Sequence, residues 1–160
     1  MRDITRMAQL RTATAFRDHL RQSGISLDFD DEVRSGKDSP LASPCIVNGR
    51  TIGNRFAILP MEGWDATVDG RPSDLTIRRW SRFGLSGAKL IFGGEAVAPR
   101  LDCRGNPNGL ALTDRTQRDM AALLDTLVKT HEQRFGASDD LLVGLQLSDA
   151  GRFTRPRDKK

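Results

Sequence analysis

Three short apolar runs, each followed at once by small and polar residues, constrain the fold of this chain more than any other feature. They lie at residues 56–59, 88–92 and 141–147. Short apolar runs bounded by loop residues are typical of strands that are buried in a parallel sheet. Helical periodicity separates the runs, and the alternation predicts parallel βαβ units.

Two amphipathic helices are predicted between these strands. The first covers residues 75–85 and follows Ser73, a residue type that caps helix N-termini well. The second begins at Thr113 or Asp114 and ends at Gly136, with apolar residues recurring at helical spacing on one face. Each helix therefore has one face to pack on the sheet.

Several chemically capable residues have a simpler structural explanation. Trp80 lies on the apolar face of the first helix, and His131 lies on or beside that of the second, so we expect both to serve packing. Cys45 and Cys103 are too few and too far apart to form a disulfide framework or a zinc site. The acidic segment 28–32 lacks the turn residue and further oxygen ligands of a cation site, and is expected to be a solvated linker. No metal site is predicted.

The region before the first apolar run is expected to contain a helix and a hairpin. Thr12 or Thr14 caps a helix that ends at Gly24. The dipeptide Asn48-Gly49 supplies the positive φ angles of a tight β-hairpin turn. We expect residues 1–40 to be a helical extension and linker, and residues 41–160 to be the main domain.

The charge distribution argues against a nucleic-acid partner. The chain has 160 residues with 25 Lys and Arg against 21 Asp and Glu, and the whole excess lies in residues 151–160. A neutral body with a basic end lacks the basic face of a nucleic-acid-binding domain. No apolar run approaches the length of a membrane span and no signal-peptide pattern opens the chain, so we expect a cytoplasmic protein without a membrane partner.

The strand ends carry a resemblance to a known family. The matching residues occur in order: Asn54-Arg55, Pro60-Met61, Gly70-Arg71-Pro72, Gly94-Glu95-Ala96, Gln146-Leu147 and Ala150-Gly151-Arg152. They resemble the amino-terminal part of the old yellow enzyme family, the FMN-dependent NADH:flavin oxidoreductases and ene-reductases that fold as TIM barrels. The resemblance implies an α/β fold, the amino-terminal part (about three βα units) of a TIM (β/α)8 barrel. A helix and a β-hairpin precede it.

The resemblance implies FMN as cofactor and NAD(P)H as reductant. In such an enzyme Leu59, Pro60 and Met61 pack on the flavin, Ala96 lets the ring approach the second strand, and Gln146 bonds the flavin pyrimidine. The physical chemistry of Gln146 suits that role, because one amide offers a donor and an acceptor. A buried glutamine bonded to backbone is the alternative interpretation.

Three residues depart from the family pattern. Glu62, a further candidate for cofactor binding, stands where many members have Cys or Thr near flavin N5 or O4. A carboxylate there disfavours an anionic reduced flavin unless it is protonated or turned away. Trp64 stands where some relatives have a substrate-facing tyrosine; its indole can stack on a conjugated substrate but cannot deliver a phenolic proton. Asp149 stands where relatives commonly have His.

The resemblance also implies that the site is incomplete. In the family, the residues that bind the substrate carbonyl and donate the proton follow the third strand, and TIM-barrel phosphate loops belong to strands 7 and 8. We therefore expect no catalytic residue within this chain. The predicted function is the amino-terminal portion of an oxidoreductase that passes hydride to electron-poor alkenes or related small-molecule acceptors, inactive alone. The alternative is a non-enzymatic half-barrel remnant or partner-binding module, with self-association through its open sheet edge.

Overall fold

The computed structural model describes residues 5–157; the end of the basic tail, residues 158–160, lies outside that range. Contacts divide the chain into two compact units, with the boundary between Ser39 and Pro40. No helix among the described residues is long and apolar enough to cross a bilayer.

The first unit contains helix α1 (Ala13–Gln22). Thr12, one of the two expected caps, accepts a hydrogen bond from the Ala15 N–H at 3.1 Å. Gly24 follows the helix with a φ of 68°, in the left-handed region that glycine tolerates. The cap and the stop signal are both confirmed.

The acidic segment of this unit returns to α1. Phe29 packs edge-on against Phe16 with 4.9 Å between ring centroids. Arg17 pairs with Asp31 at 2.5 Å, and its guanidinium also lies over the Phe29 ring. Asp31 is therefore engaged in an exposed ion pair.

The second unit opens with a hairpin of strands β1 (Cys45–Val47) and β2 (Arg50–Ile52), paired antiparallel. Asn48 and Gly49 have φ angles of 49° and 77°. Positive φ at both central residues defines the turn type predicted from the sequence.

The main sheet is parallel, with strand order β3-β4-β5. Its elements, in chain order, are β3 (Ala57–Ile58), α2 (Asp74–Leu85), β4 (Leu90–Val97), α3 (Gln117–Phe135) and β5 (Leu142–Leu147). The predicted alternation is confirmed. The three described strands form an open sheet and not a closed barrel.

Two strand boundaries differ from the prediction. β3 pairs with β4 over only two residues, shorter than the apolar run suggests. β4 continues beyond Phe92 to Val97, so Glu95 and Ala96 lie inside the strand and not past its end. The reason is that pairing with β5 resumes after an irregularity between Phe92 and Ala96, so the ladder extends past the two glycines.

Helix α3 begins later than Thr113 or Asp114 because residues 113–116 form a separate turn. The Thr113 N–H donates to Thr116 Oγ1 at 2.9 Å, and that hydroxyl donates to the Ala111 carbonyl. Thr116 is buried. Ser73, in contrast, accepts from the Leu75 and Thr76 N–H groups at the start of α2, as predicted.

The helices cover one face of the sheet. Trp80, Ile91, Leu123 and Leu127 form the centre of the core, and Trp80 is only 1% exposed, which confirms its packing role. The opposite face is open and carries Phe92, whose ring lies 3.2 Å from the position a Cβ would occupy on Gly144.

A polar cluster joins the amino-terminal ends of the strands. His131 is fully buried; its Nδ1–H donates to the Gly84 carbonyl at 3.0 Å, and its Nε2 accepts from Lys89 at 2.9 Å. Lys89 also pairs with Asp140 at 2.6 Å. Because an ammonium group only donates, this bonding fixes a neutral imidazole. The structural interpretation of His131 is confirmed.

Candidate functional site

Three of the predicted site residues meet at the carboxyl-end edge of the sheet. Ala96 on β4 lies in register with Gln146 on β5. The Ala96 N–H donates to the Met61 carbonyl at 3.4 Å, which continues the contact to the chain that leaves β3. The backbones of these three residues are therefore adjacent, at the edge where ligands bind in parallel α/β proteins.

The side chains of this edge are available to a ligand. Gln146 is exposed, and within residues 5–157 its amide has no hydrogen-bond partner. Met61 and Leu59 are 72% and 71% exposed. Within the described residues, the alternative interpretation of Gln146 as a buried glutamine bonded to backbone is therefore wrong. An adaptable apolar thioether beside an unpaired amide and a small alanine fits the apolar face and polar edge of a flavin ring.

The segment after β3 places Glu62 and Trp64 against each other. The Trp64 Nε1–H donates to Glu62 Oε2 at 2.7 Å. Trp64 has a φ of 50°, unusual for a residue with a large side chain. Glu62 also lies near Gly105, where an added Cβ would come within 3.4 Å of the carboxylate. The Glu62 carboxylate is therefore bonded to Trp64 and lies against the β4–α3 loop, with Ala96 close by.

A cluster that the sequence analysis missed lies beneath this segment. We name Asp65, Arg79 and Glu95 the rim clamp. Arg79 bonds Asp65 through two nitrogens, at 2.8 and 3.0 Å, and reaches Glu95 at 2.5 Å. Glu95 also accepts the Gly63 N–H at 2.7 Å. The sequence offered no signal for this cluster, because the predicted strand ended at Phe92 and left Glu95 in a loop, where a carboxylate needs no buried partners.

The two carboxylates of the rim clamp differ electrostatically. Burial raises the pKa of Glu95, and the bonds from Gly63 and Arg79 offset this only in part. Burial also pulls the pKa of Asp65 upward, but the bonds from Arg79 and Thr76 outweigh it and lower that pKa. Glu95 is 1% exposed and Asp65 lies nearer the surface, which accounts for the difference.

Neighbouring loops complete the rim. Asn108 and Ala66 exchange two hydrogen bonds, which tie the β4–α3 loop to the β3–α2 loop. Arg104 is buried and donates to backbone carbonyls of its own loop, including that of Pro107 at 2.6 Å. Desolvation lowers its pKa. Asp149 accepts the Gly151 N–H at 2.8 Å and so stabilises the turn after β5.

Within the described part of the chain, no group of three or more His, Cys, Asp or Glu side chains has the arrangement of a metal site.

The candidate site consists of an open apolar face, one unpaired amide and a braced loop, at the carboxyl ends of three parallel strands. Parallel α/β proteins commonly bind ligands at this edge of the sheet.

Solved structures with a similar fold include enzymes of the old yellow enzyme type. The old yellow enzyme from Trypanosoma cruzi matches with a TM-score of 0.57 at 23% identity over 72% of this chain. That from Pichia sp. AKU4542 matches with a TM-score of 0.52 at 19% identity over 70%. Morphinone reductase in complex with tetrahydroNAD matches with a TM-score of 0.53 at 21% identity over 73%.

The likeness is structural. No family model and no curated protein matches the sequence. The chain spans 27–29% of the length of these three neighbours. The neighbours are TIM-barrel enzymes, and the described residues share the fold of part of that barrel.

Proposed function

We propose that this chain contributes the first three βα units of an FMN-dependent NAD(P)H oxidoreductase of the old yellow enzyme family. The observation that carries the proposal is the meeting of Met61, Ala96 and Gln146 at one edge of a parallel sheet. The sequence motifs and the fold of the solved neighbours agree on the same family. A morphinone reductase neighbour bound to tetrahydroNAD supports a nicotinamide as the reductant.

The residues of the chain would hold the flavin ring from one side. Gln146 would bond its pyrimidine edge, Met61 and Leu59 would supply apolar surface with Pro60, and Ala96 would leave room for the ring. Bound FMN would supply hydride chemistry, from NAD(P)H to an electron-poor alkene or related acceptor. Strands other than the three described would complete the barrel and bring the phosphate and proton-donor groups.

Glu62 and Trp64 would face the substrate side of the ring. The Trp64 N–H donates to the Glu62 carboxylate, which also lies beside Ala96 and Gly105, so its charge would remain near the ring. Trp64 is 58% exposed, which leaves its indole surface for a flat, conjugated substrate. We propose a cytoplasmic setting and a small-molecule substrate.

Lumiflavin, the isoalloxazine ring without ribityl phosphate, tests the ring site separately from any phosphate loop. We expect lumiflavin fluorescence to be quenched on titration with the purified chain. Gln146→Leu is expected to weaken binding about tenfold, because a lost hydrogen bond with a desolvated partner costs about 1–1.5 kcal/mol.

Gln133→Leu is the matched control, since it makes the same change at an exposed position of α3 and should leave lumiflavin affinity unchanged. A folded wild-type chain that does not quench lumiflavin contradicts the proposal. Equal weakening by the Gln146 and Gln133 variants also contradicts it, because the effect would then be unspecific.

The open face favours a second candidate, self-association as a half-barrel module without enzymatic activity. Phe92, Leu147 and Phe56 are 44%, 59% and 51% exposed in the second unit, and the outer edge of β5 has no strand beside it among the described residues. Sedimentation velocity over a range of concentrations tests it. A concentration-independent monomer contradicts self-association, and a dimer lost in Leu147→Lys supports it.

A further inference from the structure

In the loop that carries Met61 and Trp64, the backbone N–H of Gly63 is hydrogen-bonded to a buried side chain. Gly63 donates its N–H to Glu95 Oε1 at 2.7 Å, and Glu95 Oε2 accepts from Arg79. Glu95 thus bridges the loop to helix α2 from a position inside strand β4. Asp65, on the same loop, anchors the other side of the Arg79 guanidinium.

The close approach of the loop to the guanidinium requires glycine. A Cβ on Gly63 would lie 2.0 Å from Arg79 Nη2 and 2.5 Å from its Cζ. The backbone at Gly63 therefore rests directly on the rim clamp. The clamp therefore holds the backbone between Met61 and Trp64, which are respectively two residues before and one residue after Gly63.

The bridge at Glu95 has a specific chemical requirement. Its two oxygens face two donors, an amide N–H and a guanidinium N–H. An ionised carboxylate is the side chain that offers two acceptors and no donor, whereas a glutamine or a protonated glutamic acid turns a donor toward one of the two partners. The observed geometry therefore requires ionised Glu95, and protonation removes one of the two bonds.

The charged groups around Glu95 come from two elements. Arg79 on α2 stabilises its charge, and Asp65 on the β3–α2 loop opposes it. Burial raises the pKa of Glu95 despite these bonds, so the ionised form has a cost in folding free energy.

We propose that ionised Glu95 is a positioning residue for the flavin-facing loop, that it fixes Gly63 and through it Met61 and Trp64, and that its protonation releases the loop. The assignment rests on the proposed function, because the loop faces a flavin only if that function holds.

The direction in which folding stability changes with pH separates this role from a merely structural one. A carboxyl group with a raised pKa contributes stability that is full below its unfolded pKa and is lost as pH rises through the folded pKa. Acidification is therefore expected to loosen the loop. The protonation of Glu95 is at the same time expected to increase the free energy of unfolding. A structural contact would lose loop order and folding stability together.

The Gly63 amide proton reports the bond directly. In spectra of the ¹⁵N-labelled protein, its resonance is expected to move upfield as the pH falls, with a midpoint above that of an ordinary glutamate. Gly70 is the control, since its N–H donates to the Thr67 carbonyl and should not follow this titration. A Gly63 resonance that does not titrate in the folded protein overturns the proposal.

The variant Glu95→Gln provides a second test of the proposal. Its Gly63 resonance is expected to be independent of pH and to resemble that of the acidified wild type, with amide exchange about tenfold faster. Lumiflavin binding is expected to weaken about threefold or more. Glu132→Gln, at an exposed position on α3, is the matched control with no expected change.

The two proposals fail separately. If Glu95→Gln binds lumiflavin as well as the wild type does, the positioning role is overturned. If the Gly63 resonance titrates but the wild type binds no lumiflavin, the proposed function fails, and with it the flavin role of the loop.

Discussion

The two ends of the same parallel sheet each contain a partly buried ionic cluster, and the two clusters differ in composition. At the amino-terminal end, Lys89 pairs with Asp140, and its second partner is the neutral imidazole of His131. At the carboxyl end, the rim clamp sets one guanidinium against two carboxylates. The first cluster pairs one positive with one negative charge, and the second has an additional negative charge.

The clusters also differ in what they hold. Lys89, His131 and Asp140 join the beginnings of β4 and β5 to helix α3, all parts of the packed framework. The rim clamp instead holds the backbone of a loop through Gly63. Stability in βα folds resides mainly at the amino-terminal ends of the strands and function at the carboxyl ends. The role proposed for the rim clamp would follow that division.

The largest expected effect comes from breaking the amino-terminal cluster. Asp140→Asn leaves the Lys89 ammonium, whose side chain is 14% exposed, without its carboxylate. We expect the free energy of unfolding to fall by about 2 kcal/mol, below the 3–5 kcal/mol of fully buried pairs because Asp140 is 30% exposed. Urea denaturation of the wild type and of Asp140→Asn measures this difference in the free energy of unfolding.

The neighbouring residue provides the control for this change. Asp139 is exposed, and Asp139→Asn should alter the unfolding free energy by less than about 0.5 kcal/mol. An equal effect of both variants would show that the amino-terminal cluster adds no specific stability, and the contrast between the two ends would disappear.

A smaller effect is expected at the carboxyl end, and its dependence on pH has a defined sign. Because the pKa of Glu95 is raised, its contribution to stability is lost as the pH rises through that pKa. The unfolding free energy of the wild type relative to Glu95→Gln should therefore fall from acidic to neutral pH, by about 1 kcal/mol or less. Denaturation series at several pH values measure the difference, and a difference that rises with pH would contradict the assignment.

The smallest expected effect on stability is at the surface of the rim. Glu62→Ala removes the acceptor of the Trp64 N–H and should change the unfolding free energy by less than about 0.5 kcal/mol. The emission of Trp64 is expected to shift to longer wavelength, while buried Trp80 provides an internal reference. Trp64→Phe assigns the two signals, and unchanged emission in Glu62→Ala would show that the pair does not form.

Local patterns were sufficient where one residue type determines one conformation. Thr12, Ser73 and Asn48-Gly49 produce the predicted caps and turn because their side chains or φ angles act within a few residues. The apolar runs predicted the strands, and their alternation with helices predicted that the strands run parallel. Boundaries were less accurate, because the extension of β4 to Val97 depends on pairing with β5.

The candidate site divides in the same way. Met61, Ala96 and Gln146 were predicted because each stands near the end of a recognisable strand, and the structure brings their backbones together. The rim clamp was not found, since Asp65, Arg79 and Glu95 lie on three different elements and no periodicity connects them. The orientation of Glu62 toward Trp64 was likewise undetermined, because it depends on the left-handed backbone of the loop.

The sequence by itself determined the alternation of strands and helices, the caps and turn, and the residues that stand at the strand ends, because these follow from local propensity and hydrophobic period. The tertiary structure decided the remainder: which face of the sheet stays open, which partners Glu95 and His131 find, and how far β4 extends. Those outcomes depend on burial and on contacts between residues distant in the chain, and a carboxylate or an imidazole acquires its protonation state and its role only from such neighbours.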